Sequence, residues 1–262
     1  SIPMDSETIT RRQVFFEEQY WYAEKVLTDF FGVDEYQGLN ILEIVGGENG
    51  ALKYFDERGA VTYGLEISPA RADYAKERLK MTGIRIVQGD ICQPETVQAL
   101  PKMDLVILRD VIEHIEDKRS ALENIREILS DSGKLFVSYP PKYSPYAGHQ
   151  QNIKGKFRKI PFLHLLPRSL YRVALAVVSD SKERTASLME THATMISIRA
   201  IERLFREVDL RIVKKEYYLI RPAYEKRFGM TPKQTVLNKI PLLRELFSMG
   251  ALYLLTSREG VS

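Results

Sequence analysis

Two hydrophobic rhythms alternate along most of the chain. Short apolar runs that close on Gly, Asp or Glu are separated by stretches whose apolar residues recur at three- and four-residue spacing, the patterns of buried strands and of helices. The first helical stretch runs from about Arg11 to Phe31, with Phe15, Phe16, Tyr20, Val26 and Phe30 near one stripe. Asn40–Val45 then reads as a buried strand, Ala51–Arg58 as a short helix and Val61–Glu66 as a second strand. Ser68-Pro69 supplies an N-cap and a first-turn proline for a helix to Thr82, where Gly83 stops it. Ile84–Val87, Asp104–Leu108 and Lys134–Tyr139 are the next strands, with helices near Glu95–Leu100 and over Lys118–Leu129.

Past Pro140-Pro141 the pattern breaks. A loop of Tyr, Pro, Gly and His leads into a basic, apolar, proline-interrupted helical stretch, so residues 143–192 read as an inserted lid that binds the acceptor. The alternation resumes with a helix capped by Ser197, then strands at Leu210–Ile220 and Ala251–Thr256. The expected division is an N-terminal helical segment (1–38), a core domain (39–142 and 193–262) and the insertion. Strands alternating with helices over short links imply an α/β, doubly wound, Rossmann-like sheet covered on both faces, with the carboxyl ends of its parallel strands along one crevice.

Three acids sit at such ends: Glu43, Glu66 and Asp90. Glu43 runs into Val45-Gly46-Gly47-Glu48-Asn49-Gly50, a turn that lets a ligand approach the backbone. Glu66, on the next strand, can accept from two vicinal hydroxyls of a ribose. The turn is not the dinucleotide motif: in one register its glycine positions fall on Val45, Gly47 and Asn49, in the other on Gly46, Glu48 and Gly50. Asn49 tolerates left-handed backbone better than most residues do. Structural roles compete, Glu66 as a solvated strand-end acid and Asp90 as a turn residue.

Composition narrows the field. With 262 residues, 44% of them hydrophobic and 28% charged, the chain can bury one substantial core with an insertion to spare. A single cysteine, Cys92, excludes an internal disulfide framework and fits a reducing cytoplasm. No stretch spans a membrane, because Ile160–Val178 is broken by His164, Pro167, Arg168 and Arg172. A net charge of +3 gives no reason to expect a specific nucleic acid. From Tyr143 to Ser179, however, there are six cations and no Asp or Glu.

Four stretches together resemble the class I S-adenosylmethionine-dependent methyltransferases: Leu42 to Gly50, Gly64-Leu65-Glu66-Ile67-Ser68, Val87-Gln88-Gly89-Asp90-Ile91, and Asp104 to Ile115. The resemblance implies a seven-stranded, mostly parallel sheet with an antiparallel terminal hairpin, and S-adenosyl-L-methionine as cofactor. It places Glu43 and the turn with Gly46, Gly47 and Asn49 beside the methionine and ribose. Glu66 and Ile67 would meet the ribose, Asp90 and Ile91 the adenine, and Leu108 and Arg109 the methionine end. The N-terminal helix would close over the cofactor.

For transfer to oxygen the enzyme must also remove a proton, and histidine is the side chain poised for that at neutral pH. Of four histidines, His114 follows the fourth strand and His149 closes the loop Pro140 to His149, whose pattern is similar to loops in some superfamily members of glycan and cell-surface biosynthesis. Both are candidate bases. His164 lies in an apolar helical context and is expected to be structural, while His192 stays open. No Asp-Pro-Pro-Tyr-type motif ends the fourth strand, and no metal-ligand spacing appears. The expected function is O-methylation of a small-molecule, glycan or lipid-linked acceptor. N- or C-methylation, a catalytically inactive methyltransferase-like binding protein, and an NAD-dependent oxidoreductase are the alternatives. Residues 157–178 are candidates for peripheral membrane contact, and an apolar side packing on a second copy in a homodimer competes with that.

Overall fold

The computed structural model of the chain describes residues 6–44, 47–147, 160–178, 181–236 and 239–257. An eight-stranded sheet forms its centre: β1 (Asn40–Ile44), β2 (Val61–Glu66), β3 (Arg85–Gln88), β4 (Met103–Arg109), β5 (Leu129–Tyr139), β6 (Leu210–Ile220), β7 (Lys233–Gln234) and β8 (Gly250–Ser257). The spatial order is β3-β2-β1-β4-β5-β8-β6-β7. The first five strands pair in parallel, and β8 runs antiparallel between β5 and β6. This is the expected sheet with its reversed terminal strand. The added eighth strand is a two-residue edge pairing with Tyr218 and Ile220 that no apolar run announces.

The chain winds from β1 outward to β3, then returns to β4 on the other side of β1. Such a reversal opens a crevice above the carboxyl ends of β1 and β4, because the two crossovers lead away from each other. Register sets which side chains border it. Glu43 lies opposite Gly64 of β2 and Ile107 of β4, and Glu66 lies opposite Gln88 of β3.

Successive strand residues face opposite sides, so the sheet has two cores. Leu42, Val106 and Leu108 pack against α6 (Lys118–Ile128) and α9 (Ile198–Glu207). Ile41, Leu105 and Ile107 pack on the other side, against the N-terminal helices and α3 (Gly50–Asp56). Glu43 and Arg109, by the same period, belong to that second side. Ser197 caps α9 as expected, its Oγ accepting from the Ala200 amide at 3.2 Å. The helix after β2, α4 (Pro69–Leu79), ends three residues before Thr82, whose hydroxyl instead donates to the Leu79 carbonyl at 2.7 Å.

The N-terminal helix is not uniform. α1 (Ser6–Tyr22) passes into a π-helical turn (Ala23–Leu27) and then α2 (Thr28–Phe31), which Gly32 closes in left-handed backbone, φ 57°. The wider turn rotates the buried face: Tyr22, Ala23, Val26, Leu27, Phe30 and Phe31 enter the core, whereas Phe15 and Phe16 are only half-buried. α5 (Pro94–Gln98) follows β3. Between β5 and α9 lie α7 (Arg168–Val178) and α8 (Lys182–Thr194), sharing a small core of Tyr171, Leu175 and Leu188. α10 (Ala223–Phe228) and α11 (Pro241–Phe247) complete the elements. Among the described residues no helix is long and apolar enough to cross a membrane.

Candidate active site

Two adjoining cavities of about 420 and 470 Å³ open at the carboxyl ends of β1, β2 and β4. They share Arg12, Gly47, Glu48 and Arg71. Glu43 and Arg109 border the first, Asn49 and Glu66 the second.

The turn between them is held open by backbone that few residues adopt. Asn49 is left-handed, φ 62°, the conformation its short amide tolerates. At Gly50 a Cβ would lie 2.1 Å from the Phe16 carbonyl oxygen, so α1 crosses the turn at backbone contact. Gln19 of α1 fastens it: its Oε1 accepts from the amides of Glu48 and Gly50, each at 3.0 Å. Arg78 pairs with the Glu48 carboxylate at 2.7 Å.

Glu66 is 4% exposed and held by the chain itself. Its Oε1 accepts from the Ser68 amide at 2.9 Å, and its Oε2 lies 3.2 Å from the Arg71 guanidinium. Arg71 is largely exposed, so a ligand hydroxyl can displace it, the guanidinium returning to water while the hydroxyl takes its place on the buried carboxylate. Glu43 differs: it is 7% exposed and its Oε2 has no hydrogen-bond partner. Burial pushes its carboxyl up to about 7, against a smaller downward pull from Arg109.

Arg109 is buried over the Tyr22 ring, 3.8 Å from its centroid, and donates through Nη2 to Glu18. Glu18 also takes Arg227 from α10 at 3.1 Å. The Nη1 of Arg109 has no partner. Asp110, in left-handed backbone with φ 52°, pairs with Arg221. Burial alone would raise its carboxyl, yet Arg221 and Arg109 outweigh this and hold it below the usual carboxylate range.

The remaining candidates are placed as follows. Leu108 is fully buried in the α6/α9 core and borders neither cavity, since it alternates with Arg109 across the sheet. Asp90 accepts from the Cys92 amide at 2.9 Å in a turn, and the Ile91 carbonyl accepts from Asn124 at 2.8 Å. Neither lines the two cavities, although the Gly89 amide donates to the Glu66 carbonyl at 3.1 Å and keeps this turn beside Glu66. Ile67 is mostly exposed. Gly46 and His149 lie outside the described residues.

His114 borders a separate cavity of about 580 Å³ beneath α8, together with Lys118, Arg168 and Met189. Its Nδ1 is 3.4 Å from the Thr191 hydroxyl, which itself donates to the Ser187 carbonyl at 3.1 Å. Its Nε2 lies 3.9 Å from the Glu113 carboxyl, which burial pushes up to about 8. Burial lowers the His114 pKa, so the ring is neutral at pH 7. Lys118 ties α8 to this turn by donating to the Thr194 and Ile115 carbonyls. His164 is buried, its Nε2 2.7 Å from the Lys142 carbonyl, and His192 stacks on Tyr171.

Gln19, Arg71, Glu18 and Arg227 were not singled out by the sequence. Glu18 had a signal, a charge inside the apolar stripe between Phe15 and Tyr22. Arg227, 209 residues from Glu18, had none.

This sheet order, with its crevice bordered by acids on successive strands, defines a doubly wound α/β protein of the nucleotide-binding kind. Residues 16–215 match the family described as the methyltransferase domain. The chain therefore belongs to that family, within the class I S-adenosylmethionine-dependent methyltransferase superfamily. Over 87 residues it is 25% identical to a ubiquinone biosynthesis O-methyltransferase of Histophilus somni (strain 2336), a match covering 31% of this chain and 37% of that relative. Among solved structures, an S-adenosylmethionine-dependent methyltransferase from Mesorhizobium loti has a TM-score of 0.55 at 18% identity, covering 89% of this chain and 97% of that one. Magnesium protoporphyrin IX methyltransferase from Synechocystis PCC 6803, with bound SAH, has a TM-score of 0.54 at 12% identity, covering 98% and 90%. At these identities the solved structures establish the shared fold alone.

Proposed function

We propose that the two adjoining cavities hold S-adenosylmethionine and that the chain transfers its methyl group to a hydroxyl oxygen. One observation carries the cofactor assignment. Glu43 Oε2 and Arg109 Nη1 are both buried and without a partner, and both residues border the first cavity, one an acceptor and the other a charged donor. That pair complements the ammonium and carboxylate of a methionine end, and Glu66 in the second cavity complements the two hydroxyls of a ribose. The residues present thus fit the group. Gly47 lines both cavities and brings no side chain to the neck between them.

When bound there, the cofactor supplies an electrophilic methyl group on a sulfonium. The protein's share is alignment, which supplies roughly 7–11 kcal/mol in the best intramolecular models, and removal of the acceptor proton. His114, neutral at pH 7, is the base this reading assigns. The similarity to an O-methyltransferase supports oxygen over nitrogen, and the acceptor is a small molecule, a glycan or a lipid-linked precursor.

Calorimetric titration with S-adenosylhomocysteine tests the cofactor site. Glu66→Ala loses bonds to a charged acceptor worth about 1.5–3 kcal/mol each, so affinity should fall at least tenfold. Unchanged affinity would remove the reading. His114→Ala should lower kcat by about 10²–10⁴ on a hydroxyl acceptor while leaving S-adenosylhomocysteine binding intact. Full activity of that variant would exclude His114 as base and favour an amine acceptor, which needs little proton removal.

A further inference from the structure

α7 distributes its residues unlike an ordinary surface helix. Its inner face, Tyr171 and Leu175, is buried against α8. The side facing away would ordinarily carry charge. Here it carries Leu170, 56% exposed, and Val173, 63% exposed, and on the turn before it Phe162 and Leu165 are exposed as well. Arg168 and Arg172, one helical turn apart on the flank, line with Lys182 a groove of about 640 Å³ against α8. None of these three cations forms an ion pair among the described residues. From Tyr143 to Ser179 the sequence holds no acid, and of the acids on α8 Glu190 shares the His114 cavity with Arg168.

We propose that this face of α7 docks on an anionic lipid bilayer. Charge complementarity selects the partner. A second copy of the chain presenting the same face would set Arg168 and Arg172 against like charge, whereas headgroup phosphates pair with them. Apolar side chains flanked by arginines are the arrangement by which an interfacial helix lies in a membrane surface, its apolar face at the acyl boundary and its cations among the headgroups. The groove shares Arg168 and Met189 with the cavity that holds His114, so the docked face leads from the bilayer to that cavity. A lipid-linked acceptor is the class this geometry favours. That extension rests on the proposed function, but the docking itself does not, since bilayer binding needs no cofactor.

Sedimentation of the whole chain with vesicles tests it, using phosphatidylcholine alone and phosphatidylcholine mixed with phosphatidylglycerol. The chain should pellet with the mixed vesicles only, less as salt rises. Replacing Arg168 and Arg172 by Ala together should weaken this about thirtyfold, two cations near an anionic surface being lost. Leu170→Glu with Val173→Glu should abolish it, and Glu66→Ala should leave it unchanged. Equal pelleting on both vesicle types, no pelleting, or indifference to the arginine pair would overturn the proposal. So would a dimer in sedimentation equilibrium that the two glutamates dissociate. Should the glutamate variant unfold, the arginine variant decides alone.

Discussion

Glu43 is the residue on which the chemistry of the cleft concentrates. With its carboxyl raised to about 7 by burial, the folded chain holds a proton that the unfolded chain has already lost at its ordinary value of 4.5. Stability from this group is therefore complete at low pH and is lost as pH rises through about 7, to a total of roughly 3 kcal/mol. Glu43→Gln should flatten that dependence, which urea unfolding at a series of pH values would measure. Ligand binding runs the other way. An ammonium beside Glu43 favours the ionised form, so below pH 7 the site must release a proton to bind. Affinity for S-adenosylhomocysteine should fall up to about tenfold per pH unit between pH 7 and 5.5 in the parent. In Glu43→Gln it should be weaker at pH 8 and nearly constant with pH. A parent affinity that ignores pH would mean that no ligand cation meets Glu43.

At the scale of elements, α1 and the glycine turn act as one unit. Gly50→Ala places a methyl 2.1 Å from the Phe16 carbonyl, and backbone cannot step aside as a side chain can. Gly47→Ala meets the Gln19 amide, which can swing away only by giving up its bonds to the Glu48 and Gly50 amides. Both variants should therefore be destabilised, each by about 1–3 kcal/mol, as judged by denaturant midpoints. A cost near zero for both would show that α1 does not fix the turn. The same dependence on contacts between elements explains what was legible in the sequence. β2 and β6 read at their full lengths and α9 at its Ser197 cap, because local periodicity and capping chemistry decide them. The acids Glu43 and Glu66 were legible because strand ends are fixed by the runs they close. Gln19 on the turn, Arg71 on Glu66 and the π-helical turn were not, since they depend on contacts between elements. The side chain of Leu108 borders neither cavity for a related reason: its strand was recognised, but only the position of α6 and α9 shows which alternate residue faces the crevice.

Across the whole molecule, the two cores divide the work. The α6/α9 side is apolar to the end of β4, whereas the α1/α3 side ends in paired charges, with Glu18 and Arg109 buried, Asp110 and Arg221 partly buried and Arg227 at the surface. The buried Glu18–Arg109 pair costs desolvation and is stable only while both members stay paired. Arg109 Nη1 and Glu43 Oε2 are the members left over, so a ligand that satisfies both should tighten the α1 side as a body. That makes cofactor binding readable in global stability. At a hundredfold excess over its dissociation constant, S-adenosylhomocysteine adds about 2.7 kcal/mol, which for a chain of this size corresponds to a rise in Tm of roughly 5 °C. NAD, which has neither the ammonium nor the carboxylate that Glu43 and Arg109 would take, should give no such rise. A thermal scan with each ligand separates the two, and stabilisation by NAD rather than by S-adenosylhomocysteine would assign the cleft to a different chemistry.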